Sequence, residues 1–368
     1  MNRLIPVILL KNGLIVRSQL FSVHQSIGNP MHTVRRLSNW NVDELILLDI
    51  STEDRHDLRR DDLQVQYSDS TLLGLLPEIA KLCFMPLAVG GRIRDIESMR
   101  ELFARGADKC VLNSEAVRKP DLVHQASQAF GAQAIVISID TLRHPDGRLE
   151  VHIDGGKTPT GLEPAAWARE CELLGAGEIL INSIDRDGSG VGYDLELVKV
   201  VSDAVSIPVI ACGGVGSYDD FAPAISQAGA SAVAAANIFN FYELAYPNAK
   251  QTCLGSGVHM RPVSLGNKWF PREPRYNLEA EKAKLDRRMN NAHNGIFTAA
   301  LDKRKRKMTW CTQCLYPSLS ATPMEYGTNG LCMGCQISNL KRKFADSEWD
   351  RRQQVLKEIL EQARSKAG

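Results

Sequence analysis

Short apolar runs recur through the first 245 or so residues, and longer amphipathic stretches separate them. The runs cover residues 4–10, 45–49, 86–89, 109–113, 134–140, 178–183, 208–212 and 232–236. Apolar positions at helical spacing mark residues 72–83, 96–103, 165–174 and 195–205 between them. Nearly continuous apolar strands alternating with helices imply a parallel sheet buried on both faces. Eight such units in about 250 residues fit a closed (β/α)8 barrel of the TIM type better than an open sheet. Residues 148–153, flanked by Gly147 and Gly155, read as a hairpin inserted after the fifth strand.

The pattern also repeats itself. MPLAVGGRIRDIESMRELFARGADKCVLNSEAV, from Met85, aligns with IPVIACGGVGSYDDFAPAISQAGASAVAAANIF, from Ile207. Gly90-Gly91 falls on Gly213-Gly214, and Gly106-Ala107 on Gly229-Ala230. A half-barrel duplication predicts two equivalent sites on one face. Gly90-Gly91 ends the third strand and Asn113-Ser114 the fourth; Gly213-Gly214 ends the seventh and Ala236-Asn237 the eighth. Glycine there lets backbone N–H groups turn toward an anion at a helix N-terminus, and the ends of strands seven and eight are the usual phosphate site of this barrel. The expectation is a phosphorylated small-molecule ligand with phosphates at both ends, lying across the barrel mouth.

Composition narrows the setting. The chain of 368 residues is 44% hydrophobic and 24% charged, as ordinary globular proteins are. A formal net charge of +1 gives no electrostatic footprint for nucleic acid or a membrane surface. No apolar run approaches the ~18 residues that span a bilayer, and the start MNRLIPVILLKNG reads as a strand rather than a signal peptide. A cytoplasmic protein is expected. After about Tyr246 the alternation fades into a stretch rich in Pro, Asn and charge that ends in the basic run KRKRK at 303–307, read as a solvated tether.

Asp43-Glu44-Leu45 leading to Asp49, the run Ser183-Ile184-Asp185-Arg186-Asp187-Gly188 and the two Gly-Gly loops resemble the cyclase subunit of imidazole glycerol phosphate synthase. The resemblance covers nearly all of residues 1–245. It implies a barrel that takes ammonia from a separate glutaminase subunit through its core. It also implies closure of a bis-phosphorylated ribulosyl substrate into imidazole glycerol phosphate, with release of an aminoimidazole carboxamide ribotide. The phosphate set it implies is Gly90, Gly91, Asn113, Ser114, Asp187, Gly188, Gly213, Gly214, Ala236 and Asn237. The family's ring closure implies two carboxylates, one on the first strand and one on the fifth. Asp140 fills the second position, but Leu9 stands at the first. Arg92 replaces an expected glycine, Asn237 an expected serine, and Arg17 a lysine. Arg3, Glu44, Lys109 and Glu178 match the charged gate through which ammonia enters, and Asp108 a glutaminase-facing position. An intact entrance beside a lost acid resembles a divergent subgroup that accompanies sugar amidation in surface-polysaccharide pathways.

Five of the nine cysteines are scattered and read as inert core thiols. The other four, Cys311, Cys314, Cys332 and Cys335, form CxxC-x17-CxxC, a spacing that suits structural Zn²⁺ held by four thiolates. A glutaminase nucleophile at Cys332 would need a downstream histidine as base, and no histidine follows it. CTQCLYP and GLCMGC, followed by Ser347-Glu348-Trp349, resemble the N-terminal region of N-acetyl sugar amidotransferases. The ATP-pyrophosphatase loop that comes next in that family is not in this sequence.

The expected organisation is therefore a barrel over 1–250, a linker or appendage over 251–307, and a zinc-ribbon-like module with an amphipathic helix over 308–368. The leading expectation is an ammonia-channelling synthase barrel that works with a glutaminase and an N-acetyl sugar amidotransferase. The alternatives are a working cyclase of histidine biosynthesis and a non-catalytic scaffold.

Overall fold

A computed structural model describes residues 1–56 and 71–263, with Leu331 and Gln354. The chain divides into two compact units, Met1–Arg275 and Tyr276–Gly368. The four paired cysteines and the basic run at 303–307 lie outside the described residues.

Twelve strands form one sheet. They are β1 (Arg3–Lys11), β2 (Leu14–Gln19), β3 (Val23–Gly28), β4 (Leu45–Asp49), β5 (Leu87–Gly90), β6 (Lys109–Leu112), β7 (Ile135–Arg143), β8 (Leu149–Ile153), β9 (Thr158–Pro159), β10 (Glu178–Ser183), β11 (Val209–Cys212) and β12 (Ala232–Ala235). Eight of them pair in parallel in the order β1-β4-β5-β6-β7-β10-β11-β12, and β12 pairs back to β1. This is the closed (β/α)8 barrel that the alternation predicts. The helices between barrel strands are α1 (Pro30–Asn39), α2 (Leu72–Ala80), α3 (Ile96–Ala104), α4 (Ser114–Arg118), α5 (Asp121–Phe130), α6 (Pro164–Leu173), α7 (Leu195–Ser202) and α8 (Phe221–Ser226); α9 (Ala245–Gly255) follows β12. Among the described residues no helix is long and apolar enough to cross a membrane.

Strand alternation builds two cores. On β1, Ile5 and Val7 join a cluster inside the barrel with Ile46, Val111, Val136, Leu180 and Ile210. Leu4, Ile8 and Leu10 of the same strand pack outward, in the larger core that holds the helices' apolar faces. Successive residues of a strand face opposite ways, so apolar residues at every position satisfy both cores at once.

Two strands differ from expectation. β1 does not stop at residue 10 but turns back at Asn12-Gly13 into the antiparallel hairpin β2–β3, which projects from the mouth. Asn12 and Gly13 have φ of 50° and 80°, as a two-residue hairpin turn demands. The Asn-Gly pair was its sequence signal. The insertion expected at 148–153 is present as β8, antiparallel to the extended end of β7.

The expected boundary at residue 250 falls inside α9, and packing continues past it. Met260 bridges Asn2 beside β1, and Arg261 Nε lies 3.0 Å from Asp43 Oδ1. Asp43 also receives the Leu4 amide at 3.1 Å and pairs with Lys250, whose side chain is only 1% exposed. Tyr246 Oη accepts from the Asp43 amide at 2.8 Å and donates to the Leu4 carbonyl at 3.0 Å. This clasp ties α9, which packs in the outer core with Phe221 and Phe239, to the N-terminal ends of β1 and β4. It escapes helical periodicity because it is polar, and Lys250 takes up a buried position.

Candidate functional site

The described candidates fall at the two ends of the barrel. At the C-terminal mouth, the inward positions nearest the rim are Leu9, Leu48, Asn113, Asp140, Asn182, Cys212 and Ala236. Leu9, Leu48, Cys212 and Ala236 are half-buried and cap the inner apolar cluster. Asp140 is buried, and its two carboxylate oxygens accept from Asn113 Nδ2 at 3.0 Å and Asn182 Nδ2 at 3.3 Å. Asn182, opposite Asp140 on the neighbouring strand, is a site residue that the sequence reading passed over. It lies one position before the conspicuous run 183–188, and a lone Asn carries no motif.

Burial pushes the Asp140 carboxyl up to about 7, although the two amide donors hold it down. A group at that value gives and accepts a proton near neutral pH. The ordinary value of this carboxyl is near 4, so between about pH 4 and 7 the folded chain binds more protons than the unfolded chain at this group. Its burial penalty is therefore absent below about pH 4 and complete above about 7. Asp140→Asn is expected to stabilise the fold by on the order of 2 kcal/mol at pH 8 and to be neutral near pH 4, as read by urea unfolding across the range. A gain equal at both pH values would show that the carboxyl is not displaced.

The glycine loops lie at the same end, on opposite strands of the barrel. Gly91 and Gly214 have φ of 97° and 107°. A Cβ on Gly91 would overlap the Asp49 carbonyl, and one on Gly214 the Gly192 carbonyl. At Gly213 it would come within 2.7 Å of Asn182 Oδ1. Backbone packing alone therefore requires these glycines, which also leave the loops open toward the mouth. Gly90 closes β5, and Asn113-Ser114 follows β6. Ser114 Oγ accepts the Asp154 amide at 3.0 Å. Ala236-Asn237 follows β12, and Asn237 Nδ2 donates to the Ser18 carbonyl at 2.8 Å.

Arg92, Asp187 and Arg17 each have defined partners within the chain. Arg92 adopts φ of 61° and ties down the loop after β4, with the Ser51 carbonyl at 2.8 Å and Asp54 as partners. Asp187, assigned to the phosphate set, directs its carboxylate at the β2–β3 turn, accepting from Ser18 Oγ at 2.6 Å and the Phe21 amide at 3.2 Å. Arg17 is buried beside Gln25, with its guanidinium over the Phe241 ring.

At the opposite end, Arg3, Glu44, Lys109 and Glu178 come together. Lys109 Nζ lies 2.9 Å from Glu44 Oε1 and 3.0 Å from Glu178 Oε2. Arg3 pairs with Glu44 and lies 2.8 Å from Glu178 Oε1. Each residue stands at or just before the start of its strand, and each cation bridges both anions. The four close a ring beneath the inner apolar cluster. Asp108, exposed just before β6 at the same end, accepts the Leu87 amide at 2.8 Å.

The family model of the histidine biosynthesis proteins matches residues 3–245. A curated relative, the imidazole glycerol phosphate synthase subunit HisF of Alkaliphilus metalliredigens (strain QYMF), is 41% identical over 261 residues, covering 70% of this chain and 98% of the relative. With its closed parallel barrel, glycine loops and buried Asp140 at the mouth, the chain belongs to the histidine biosynthesis protein family and carries a barrel of the imidazole glycerol phosphate synthase cyclase type.

Proposed function

We propose that this barrel conducts ammonia, received from a glutaminase subunit docked beneath it, rather than closing an imidazole ring. The observation that carries this reading is the ring of Arg3, Glu44, Lys109 and Glu178 below an interior lined by Ile5, Val7, Ile46, Val111, Val136, Leu180 and Ile210. Ammonia released into water is protonated and lost; an apolar interior keeps it neutral. Buried charges of this kind are costly unless paired, and satisfied pairing alone is a sufficient reason for such a ring. What favours conduction is that the ring is complete while Leu9 has replaced a catalytic acid. The two glycine loops remain suited to a ligand phosphorylated at both ends.

The ammonia would feed amidation of an N-acetyl sugar by an amidotransferase, the partner to which the cysteine module points. With a glutaminase and a complete amidotransferase present, Lys109→Met is expected to uncouple glutamine hydrolysis from sugar amidation. Ammonium salt should still support amidation. Unchanged glutamine-driven amidation in Lys109→Met would leave the ring a set of satisfied buried charges and favour the scaffold reading.

The donor chemistry of Cys311, Cys314, Cys332 and Cys335, two CxxC pairs, fits a tetrahedral Zn²⁺ site. One thiolate-bound zinc per chain is expected by metal analysis and X-ray absorption, and Cys311→Ser with Cys314→Ser should remove it. A sulfur shell that persists in that double variant would overturn the assignment.

A further inference from the structure

The hairpin that leaves the barrel mouth through β7 and β8 brings together His144, Glu150 and His152. One ligand atom from each lies within 4.8 Å of the other two. Their placement follows from register. Asp140 pairs with His152 and Leu142 with Glu150, and opposed residues of an antiparallel pair share a face. Glu150 and His152 therefore stand on the face that carries Asp140, and His144, two residues past Leu142, continues it.

The side chains are oriented as ligands. His152 Nδ1 lies 3.1 Å from the Gly156 carbonyl. A carbonyl only accepts, so Nδ1 carries the hydrogen and Nε2 presents a lone pair. That Nε2 is buried without a hydrogen-bond partner, and the residue is 6% exposed. Glu150 Oε1 is held by the Gly161 amide at 2.8 Å, which leaves Oε2 facing His144 Nε2 at 2.6 Å. Arg148, at 3.2 Å from the same Oε2, has an exposed side chain that can turn to solvent. Ligating imidazoles and carboxylates are characteristically fixed by outer hydrogen bonds of this kind.

We propose that His144, Glu150 and His152 form a binding site for one divalent transition-metal ion, Zn²⁺ by the chemistry of two imidazoles and a carboxylate. The ion takes up the idle lone pair of His152 and replaces the direct contact of His144 with Glu150. Three protein ligands leave a fourth tetrahedral position for water.

The test must separate this site from the cysteine module. The full chain with all four paired cysteines changed to serine is titrated with Co²⁺. The expected result is one bound Co²⁺ per chain, with visible ligand-field bands, no thiolate charge-transfer band, and displacement by Zn²⁺. His144→Ala and His152→Phe should each weaken binding by more than about 100-fold, beyond the ~10–100-fold of losing an outer partner. As a second measurement, His152→Phe in the otherwise unaltered chain should remove one zinc with nitrogen and oxygen neighbours, seen by X-ray absorption, and retain the sulfur-bound zinc. Failure to bind stoichiometric Co²⁺, or binding that survives loss of both histidines, would overturn the proposal and leave a histidine–carboxylate pair beside an unsatisfied imidazole.

Discussion

Leu9→Asp is expected to close the imidazole ring at least ~10²-fold faster than the unaltered chain when both receive the bis-phosphorylated ribulosyl substrate and ammonium salt. A positioned acid or base contributes ~10²–10⁴ in rate, and an isobutyl side chain transfers no proton. The geometry favours recovery. Between β1 and β7 lie β4, β5 and β6 on one side and β10, β11 and β12 on the other, so Leu9 and Asp140 come from diametrically opposed strands. Leu9 caps the inner cluster among Leu48, Cys212 and Ala236, where a shorter carboxylate meets the open mouth. Asp140→Asn added to Leu9→Asp should remove the gain. Turnover near 1 s⁻¹ by the unaltered chain, in the range of working enzymes, would restore the cyclase reading.

Asp43→Ala is expected to cost about 3–5 kcal/mol in urea unfolding, as does removal of one partner from a buried ion pair. It strands Lys250, 1% exposed, and leaves the Leu4 amide without its acceptor, while Arg261 keeps only its bonds to Asn41 and the Val42 carbonyl. Asp43→Asn keeps the shape but loses the charge, so it should retain most of the loss. Adding Lys250→Met to Asp43→Asn should recover part of it, because no cation then remains buried alone. A loss under about 1 kcal/mol in Asp43→Ala would mean that water reaches Lys250 and that the clasp is not a stabilising element.

What the sequence disclosed follows the range of each interaction. Strands β4 and β10 match the apolar runs at 45–49 and 178–183, because burial on both faces writes itself locally. The paired glycine loops were visible because the chain carries them twice. The clasp of Asp43, Lys250 and Arg261 joins residues 207 and 218 positions apart, and no local period encodes it. Asn182 became a site residue only when closure of the sheet set it beside Asp140, across from Asn113, which the glycine-loop repeat had already marked. His144, Glu150 and His152 passed unnoticed, because alternate residues of a short hairpin resemble any half-polar strand until register puts them on one face.

The floor of the barrel has a property that none of its pairs has alone. Arg3, Glu44, Lys109 and Glu178 alternate in sign around a closed circuit. Such an arrangement has no net charge and almost no dipole, and its leading moment is a quadrupole. The field of a quadrupole falls far more steeply with distance than that of a single charge. The circuit itself therefore steers nothing from afar and is felt only at contact. Its grip is a property of fit, and added salt screens little of its own field.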